Sequence, residues 1–569
     1  MIKEQSTAKG FTFLSTANLI CRCLSILYIP ILTSLLNNEG NGIYSAGYTV
    51  FTLLFEITYM GIPVAISRMV AKFNAEKRYY DSLRTFKFAA GLLVLVGLIC
   101  GGIMAVFCRP IADKILDTKG AWMTILLLSP AILFSSFAGA IRGFFQGQKN
   151  MTYTSVSQII EQVLNAVTTP LLAYLFMRYA AGAGMDHGMQ LVYGAGGGAL
   201  GTFIGALGST IYLLIILGKH YKPIKAEANK DYLENKPLPR ESNMRLVRII
   251  ISTAVPIVLG AAMVYLANLI DVSFIKRRLV SAGFENESIR NQIYGIFATQ
   301  YHKTTNIVLG IAATLPAIIL PGISQVAAKN DKALLERKMN NSIRASFLIT
   351  VPCCAGLAIL SNPIIYMLFP YNRFTPEEAA GVADPHILII AGVWSIIIVS
   401  IVQVLTAILQ GNGDFKSAPI NMTIGLAVKL ALNYFLISTK LNIMGAIVST
   451  YVCYALVLAL DYIAVVRRTG IRMNIPKLSL APVAAGAVMS AVVFALMYGG
   501  RELLYAVGYY RYISNAVLAG ICVIAGGLTY FVFALKFKAI DKGDLSTVPI
   551  ISGFLKKPFM TRFVNKLVK

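Results

Sequence analysis

The stretch Gly218–Arg248 reads GKHYKPIKAEANKDYLENKPLPRESNMRLVR and divides the chain in two. It contains eight Lys or Arg residues, four acidic residues and several prolines, but no long aliphatic run. Long apolar segments separated by short loops lie on both sides of it, six before and eight after. This pattern predicts a solvated hinge between two membrane-embedded parts of the chain.

The composition excludes a water-soluble fold. The chain has 569 residues, of which 56% are hydrophobic and 14% charged, and its mean hydropathy is +0.67. Soluble domains contain about 25% charged residues. The net charge of +25 would suggest nucleic acid in a soluble protein, but here it indicates membrane topology, and we expect no nucleic-acid partner. The first apolar run, 11–36, is too long for a signal peptide and is expected to be a retained helix.

A bilayer core about 30 Å thick requires roughly 20 apolar residues per helix. Fourteen stretches of the sequence meet this requirement, so we predict an all-α polytopic membrane protein with 14 transmembrane helices. The start of 293–323 is polar, which predicts a broken or cavity-lining helix there. The predicted spans are 11–36, 43–67, 86–107, 121–141, 151–177, 190–217, 249–275, 293–323, 343–369, 386–409, 418–438, 442–465, 479–498 and 513–535.

The spans form two six-helix lobes related as a parallel repeat, with two extra C-terminal helices. The expected regions are an N-lobe at 1–217, a basic cytoplasmic connector at 218–248, a C-lobe at 249–465, spans thirteen and fourteen at 479–535, and a basic cytoplasmic tail at 536–569.

A weak internal repeat supports the two lobes. Gln146-Gly147 follows span four, and Gln410-Gly411 follows span ten. The segment 61–67 of span two likewise resembles 315–324 of span eight. Because each lobe has six spans, both have the same orientation in the membrane. Such duplication is typical of alternating-access transporters with a site between the halves.

The Lys and Arg residues predict the orientation. The N-terminus, the loops after even-numbered spans and the tail hold roughly three times as many of these 51 residues as the opposite loops. Cytoplasmic loops of membrane proteins are enriched in Lys and Arg. We therefore expect a multi-pass protein of the bacterial cytoplasmic membrane with both termini in the cytoplasm.

Ionisable side chains inside the spans are the candidates for function, since each costs about 2.5–3.5 kcal/mol in a bilayer. They either form structural ion pairs, for example Arg22 with Glu56, or line a water-filled cavity between the lobes. We favour the cavity, because several of them lie on the first two spans of each repeat. The cavity candidates are Arg22, Glu56, Glu161, His302, Lys303 and Lys429.

Other charges lie close to the span ends. Arg68 and Arg142 are expected to anchor the topology at inner junctions, where they could also contact a headgroup from the cytosol. Asp271 and Asp461 are expected to reach interfacial water. The eight cysteines lie mostly in apolar runs and are expected to act as small buried hydrophobes, so no metal site or cofactor is predicted.

A cationic cavity suits an anionic ligand. Arg offers a planar fork for phosphate and Lys a point charge, so Arg22 with Lys303 would hold a pyrophosphate. Glu56 or Glu161 would bind Na⁺ or H⁺ as a coupling ion. A separate pattern on span six, with Gly201, Gly205 and other glycines at short intervals, predicts close helix packing.

Several motifs resemble those of a known family. The stretches 10–36, 42–48 (GIYSAGY) and 61–71 (GIPVAISRMVA) and both Gln-Gly pairs are similar to the polysaccharide-transporter branch of the multidrug/oligosaccharidyl-lipid/polysaccharide exporter superfamily. Within that branch they resemble the stage V sporulation protein B type, which is related to the MviN/MurJ lipid II flippases. The resemblance covers essentially the whole chain.

The resemblance implies two six-helix lobes around a central cavity, and two extra helices that shape a groove for a polyprenyl tail. Arg22 falls where flippase members often carry a basic residue on the first helix. Tyr28 and Ile29 occupy the region in which MurJ proteins carry a second one. Lys303 would replace the basic residue that the family has on helix eight.

These observations together predict a flippase and not an enzyme. It would translocate an undecaprenyl-diphosphate-linked cell-wall precursor, lipid II or a related lipid-linked glycan, by alternating access. Its partners would be that polyprenyl-diphosphate-linked glycan and the membrane lipids, and it would act as a monomer.

Three alternatives are weighed against the flippase. A cation-coupled multidrug exporter of the same superfamily predicts twelve spans and a carboxylate-rich cavity. A membrane glycan-processing enzyme needs carboxylates on sizeable outer loops, and the outer loops here are short. A membrane scaffold does not explain charges at the middle of the bilayer.

Overall fold

The computed structural model describes residues 7–59, 61–234, 242–327, 329, 331–369, 377–506 and 512–539. Over these ranges the chain is helical and contains no β-strand, which confirms the predicted fold class. A helix pairs its backbone groups within one segment, as a lipid environment requires. The chain forms two compact units: unit 1 takes in Met1–Ile296 and Thr375–Ala379, and unit 2 takes in Phe297–Phe374 and Ala380–Lys569.

Unit 1 begins with a long helix that is bent at Asn37, whose φ of 53° and ψ of −174° are not helical. This bend lies at the predicted boundary between spans one and two, although the chain resumes a helix directly after it. The helices are α1 (Thr7–Tyr59), α2 (Gly61–Ala75), α3 (Tyr79–Val106), α4 (Cys108–Pro110), α5 (Ala121–Gly147), α6 (Thr152–Gly182), α7 (His187–Glu234), α8 (Asn243–Ser281) and α9 (Glu287–Gly295).

The first half of the basic connector is a packed helix in unit 1. Positions 218–234 continue α7, and Asp231 is only 7% exposed. Asp231 Oδ2 accepts a hydrogen bond from Tyr80 N at 2.9 Å, and the rings of Tyr80 and Tyr232 are 4.8 Å apart. The acidic side chain therefore pairs with a backbone N–H in the first turn of α3 that has no partner within its own helix. Residues 235–241 of the connector lie outside the described residues.

The glycines of span six allow α7 to pack closely on α6. A Cβ on Gly201 would lie 2.5 Å from Thr169 N, and a Cβ on Gly205 would lie 2.7 Å from Glu161 O. Any larger residue would push the two helices apart. The predicted role of these glycines in helix packing is confirmed.

Unit 2 begins at Phe297, within a π-helical turn, Ile296–Tyr301, that follows α9 and leads into the first helix of this unit. The helices are α10 (His302–Ala312), α11 (Leu315–Ala327), α12 (Lys332–Ile359), α13 (Ser361–Leu368), α14 (Glu377–Ala380) at the boundary between the two units' residue ranges, α15 (Pro385–Gly392), α16 (Ser395–Gly411), α17 (Ser417–Leu436), α18 (Ile443–Thr469), α19 (Ile475–Ala506) and α20 (Tyr512–Lys536). The last two helices pack on each other, and α19 also packs on α12.

Within the described ranges, 10 helices are long and apolar enough to cross a membrane, or 11 if the bent pair α15 and α16 counts as one span. One of them runs from Thr16 to Ala75 over 60 residues, and it contains all of predicted span two and residues 16–36 of predicted span one. Predicted span eight is broken into α9, the π-helical turn, α10 and α11, as its polar start indicated. The total of fourteen spans stays a prediction.

The two Gln-Gly pairs pack in the same way in their own units. A Cβ on Gly147 would lie 2.8 Å from Ser67 O of α2. A Cβ on Gly411 would lie 2.6 Å from Ile323 Cγ2 of α11. In each unit, the Gln-Gly pair therefore packs the end of its helix against a second helix. That second helix carries the other repeated segment, 61–67 on α2 or 315–324 on α11.

The turns that follow the two pairs are also alike. Lys149 and Gly413 both have a positive φ, 58° and 81°. The next residue caps the following helix: Asn150 Oδ1 accepts from Thr152 N at 3.1 Å, and Asp414 Oδ1 accepts from Ser417 N at 3.0 Å. This shared geometry supports the internal repeat that the sequence indicated.

Candidate functional site

Two of the predicted site residues form one ion pair inside unit 1. Arg142 Nη2 of α5 lies 2.6 Å from Glu161 Oε2 of α6. Arg142 Nε donates to Ser157 Oγ at 2.9 Å, and Ser209 Oγ of α7 donates to the same Glu161 oxygen at 3.2 Å. Arg142 is 4% exposed, whereas the Glu161 side chain keeps 28% of its surface. In this conformation the Arg142 guanidinium neutralises Glu161. The contact predicted between Arg142 and a headgroup stays a prediction.

Glu161 belongs to a row of polar side chains along α6 that faces α1 and α7. Gln162 Nε2 donates to Ser25 Oγ of α1 at 2.9 Å. Asn165 Oδ1 accepts from Thr169 at 2.6 Å and from Thr202 of α7 at 3.4 Å. Sequence reasoning singled out only Glu161, but the spacing of three or four residues between polar positions in span five would have indicated this face. The row consists of Gln158, Glu161, Gln162, Asn165 and Thr169.

Arg22 and Glu56 do not form the ion pair that was considered. Arg22 is exposed on α1. Glu56 is 6% exposed and interacts with Tyr265 of α8, and it makes no ion pair within the part of the chain that the structure describes. Glu56 Oε2 has no hydrogen-bond partner there. The alternative of an Arg22–Glu56 bridge is therefore wrong. Arg68, which was expected at an inner junction, is exposed on α2.

The remaining candidates lie in unit 2. His302 and Lys303 are half-buried at the start of α10, directly after the π-helical turn. The His302 ring is 4.6 Å from the Phe297 ring and 5.1 Å from the Tyr301 ring. Lys429 lies on α17 and is 2% exposed. Convergence of these cations with Arg22 stays a prediction.

The two acids expected at the membrane interface are buried. Asp271 of α8 is 2% exposed, and Asp461 of α18 is 0% exposed. The expectation that they reach interfacial water is wrong. Each lies on the helix face that packs inside its own unit, which the position along the span did not indicate.

Sequence reasoning missed a buried cation in unit 1. Lys276, near the end of α8, is 0% exposed. Its ammonium donates to Thr118 Oγ1 at 2.5 Å and to Asn291 Oδ1 of α9, and it lies 5.5 Å from the centre of the Tyr294 ring. The amine thus joins three segments that are far apart in the sequence.

The same end of unit 1 holds further contacts between α1 and α9. Ser288 Oγ donates to Glu39 Oε2 at 2.6 Å. A Cβ on Gly42 would lie 2.1 Å from Asn291 O, and a Cβ on Gly295 would lie 1.9 Å from Asn38 O. Backbone therefore touches backbone where these helices cross. Together with Lys276, these residues hold α1, α8 and α9 against one another at this end of unit 1.

A cavity of about 250 Å³ opens beside the first Gln-Gly turn and the C-terminal end of α2. Its lining combines Lys149 and His220 with the acid Glu227. His220 Nε2 lies 3.0 Å from Tyr153 Oη. Mixed charge of this kind selects no single class of ligand.

Comparison with a protein family supports the sequence resemblance. Residues 7–327 match the model of the family described as "Polysaccharide biosynthesis protein". The lipid II flippase MurJ of Bacillus subtilis (strain 168) is 24% identical over 559 residues, which cover 96% of this chain and 98% of the relative. Stage V sporulation protein B of the same organism is 23% identical over 558 residues, 97% of this chain and 99% of the relative.

Two groups of solved structures share the fold. An inward-facing multidrug resistance MATE family transporter of the MOP superfamily aligns with a TM-score of 0.62 and 16% identity, over 80% of this chain and 96% of the other. The lipid II flippase MurJ in an inward closed conformation aligns with a TM-score of 0.61 and 15% identity, over 92% of this chain and 98% of the other. These similarities concern the fold alone.

Proposed function

The chain belongs to the polysaccharide biosynthesis protein family, and from this membership we propose that it is a flippase. It moves an undecaprenyl-diphosphate-linked cell-wall precursor, lipid II or a related lipid-linked glycan, across the bacterial cytoplasmic membrane. The observation that carries this proposal is the similarity to the MurJ flippase over 96% of this chain and 98% of the relative. No covalent bond is broken, so the protein is a transporter and not an enzyme.

In the proposed path, the diphosphate of the substrate meets Arg22 and Lys303. The exposure of Arg22 on α1 supports this role. Glu56, Glu161, His302 and Lys429 complete the proposed cavity for the sugars, while the polyprenyl tail stays in lipid beside α19 and α20. Phosphate with Arg forms strong charge-assisted hydrogen bonds, which gives affinity for the headgroup without a metal ion.

Alternating access by a monomer, with both termini in the cytoplasm, completes the proposal. The membrane potential or an ion gradient drives the cycle, with Na⁺ or H⁺ as the coupling ion. A charged headgroup crossing the bilayer is sensitive to the potential, at about 2.3 kcal/mol per elementary charge per 100 mV.

A multidrug exporter is the second candidate, because a MATE transporter shares the fold with a TM-score of 0.62. The share of this chain that each solved structure covers distinguishes the exporter from the flippase. The MATE structure accounts for 80% of this chain, whereas the flippase structure accounts for 92%. The larger overlap with the flippase favours lipid-linked substrates.

Complementation of a bacterium depleted of its own lipid II flippase tests the proposal. Wild-type protein should restore growth, and Arg22→Ala should not, although the variant reaches the membrane at the same level. Arg178→Ala is the matched control, because Arg178 is also an exposed arginine of unit 1, and its polar and cation–π contacts within the described residues are with the Tyr174 Oη, at 3.1 Å, and the Tyr174 ring. It should restore growth as the wild type does.

Failure of a well-expressed wild-type protein to restore growth would exclude lipid II as the substrate. Growth of the strain that carries Arg22→Ala would leave the flippase assignment intact, but it would show that Arg22 does not lie in the transport path. Drug resistance conferred without rescue would transfer the assignment to the exporter.

A further inference from the structure

Asp461 of α18 is a carboxylate that unit 2 encloses completely. It is 0% exposed, although α18 ends only two turns later with Arg467 and Arg468. Asn421 Nδ2 of α17 donates to Asp461 Oδ1 at 2.7 Å. Thr406 Oγ1 of α16 donates to Oδ2 at 3.4 Å. Both partners are neutral.

The carboxylate has no countercharge in contact. Within the described ranges, Asp461 makes no ion pair. The helices packed against α18 are α15, α16 and α17, and α16 carries no charged residue. Lys429 of α17 is eight residues beyond Asn421, about 12 Å along the helix axis. The charged or titratable groups on these helices, on α18 and in the turn between α16 and α17 are His386, Asp414, Lys416, Lys429, Cys453, Arg467 and Arg468, besides tyrosines. An ionised carboxylate that is buried without a countercharge is costly, so either a proton or a bound cation must neutralise Asp461 here.

The corresponding place in unit 1 contains a cation. Counted from the glycines of the two Gln-Gly pairs, Thr406 corresponds to Arg142, and Asn421 corresponds to Ser157. In unit 1, Arg142 Nε donates to Ser157 Oγ at 2.9 Å and neutralises Glu161. In unit 2 the two corresponding side chains hold Asp461 instead. In unit 1 the chain itself therefore supplies the positive charge, on Arg142, that neutralises the buried acid. In unit 2 the corresponding side chain, Thr406, is neutral.

The groups around Asp461 offer oxygen ligands. They are the two carboxylate oxygens, the Thr406 hydroxyl and, after a 180° rotation of its amide, the Asn421 carbonyl. Gln403 lies one turn before Thr406 on the same face of α16, and its Oε1 is buried with no hydrogen-bond partner in the described part of the chain. Oxygen ligands select hard cations, and one carboxylate matches one positive charge.

We propose that Asp461, Thr406 and Asn421 form a binding site for one Na⁺ ion. The ion takes the place that the Arg142 guanidinium occupies in unit 1, and it neutralises Asp461. The site goes beyond the flippase assignment, because its existence requires no lipid-linked substrate. Its test and the complementation test therefore fail independently.

Thermal unfolding of the purified full-length protein in detergent micelles tests the site. The midpoint should rise by a few degrees as NaCl replaces choline chloride at constant ionic strength, and the rise should saturate, because an ion bound only by the folded state stabilises it. Asp461→Asn removes the charge but keeps the shape, and it should lose the rise. Asp414→Asn is the matched control, since Asp414 caps α17 outside the site, and it should keep the rise.

Thr406→Arg gives a second test that does not depend on weakening the protein. This variant introduces the arginine that unit 1 has at the corresponding position. It should fold, and its midpoint should be insensitive to Na⁺. Two results would overturn the proposal: a wild-type midpoint that does not respond to Na⁺, or an Asp461→Asn variant whose response equals that of the wild type. A response of the wild type to pH alone would assign the site to a proton and would also overturn it.

Discussion

Arg142 Nη2 lies 2.6 Å from Glu161 Oε2, and this ion pair joins α5 to α6 inside unit 1. Arg142→Ala would leave the Glu161 carboxylate uncompensated. Loss of one partner from a fully buried pair costs about 3–5 kcal/mol, and the partial exposure of Glu161 should reduce this to about 1–3 kcal/mol. We expect a lower midpoint of thermal unfolding in detergent. Arg178→Ala, at an exposed position, should change it little, and equal midpoints for the two variants would contradict the structural role of the pair.

Gly42→Ala should disrupt the crossing of α1 and α9. The added methyl group would lie 2.1 Å from Asn291 O, a backbone atom that cannot move without its helix. Overpacking of this kind costs about 1–3 kcal/mol, so thermal stability should fall. Gly91→Ala on α3 is the control, because a Cβ there meets nothing within 4 Å. It should stabilise its helix by roughly 0.5–1 kcal/mol. Similar midpoints for both variants would show that α1 and α9 do not touch here in the membrane protein.

Substitutions at the two equivalent turns should have opposite effects. Lys149 has a φ of 58°, in a region that costs a non-glycine residue roughly 1–2 kcal/mol. Lys149→Gly should therefore raise the thermal midpoint. Gly413 has a φ of 81°, and Gly413→Ala should lower it. The two midpoints, measured side by side in one detergent, check this, and a shift of the same sign in both variants would contradict the shared turn geometry.

Asp414 should make stability depend on pH through the cap of α17. Burial raises the pKa of its carboxyl, but hydrogen bonds from the Ser417 hydroxyl and from the N–H groups of Ser417 and Lys416, with the charge of Arg468, outweigh burial and hold the pKa below its ordinary value of 3.8. A folded-state pKa below the unfolded one stabilises the protein above the ordinary pKa, and this stabilisation is lost as the pH falls through the folded value.

Asp414→Asn removes that titration. The wild-type protein should be more stable than the variant at pH 7, and the difference between their thermal midpoints should shrink as the pH is lowered below about 4. A difference that grows in acid would contradict the lowered pKa. Ser417→Ala, which removes one donor, should show a smaller difference of the same sign.

Local patterns predicted much of the fold. The apolar runs predicted an all-helical membrane protein, the glycines of span six predicted the close packing of α6 and α7, and the polar start of span eight predicted its break. Each of these properties depends on residues within about one helix, which is the range over which hydropathy and glycine spacing act. The Gln-Gly pairs also indicated the repeat, since both lie at the same helix junction.

The partners of the buried charges could not be predicted in this way. From the sequence, an ion pair between Arg22 and Glu56 was one alternative. In the structure Arg142 pairs with Glu161, and Glu56 faces Tyr265. The position of Asp461 near a span end predicted contact with interfacial water, whereas in the structure α16 and α17 enclose this side chain.

By itself, the sequence determined that the chain is a helical membrane protein, that span six packs closely on its neighbour, that span eight is broken, and which family the chain resembles. Only the tertiary structure decided which charges meet, as for Lys276, which bonds to Thr118 at a distance of 158 residues along the chain. Hydropathy is summed over one helix and is unaffected by its neighbours. The partner of a charge depends on the rotation of each helix about its axis, and the packing of the whole bundle sets that rotation.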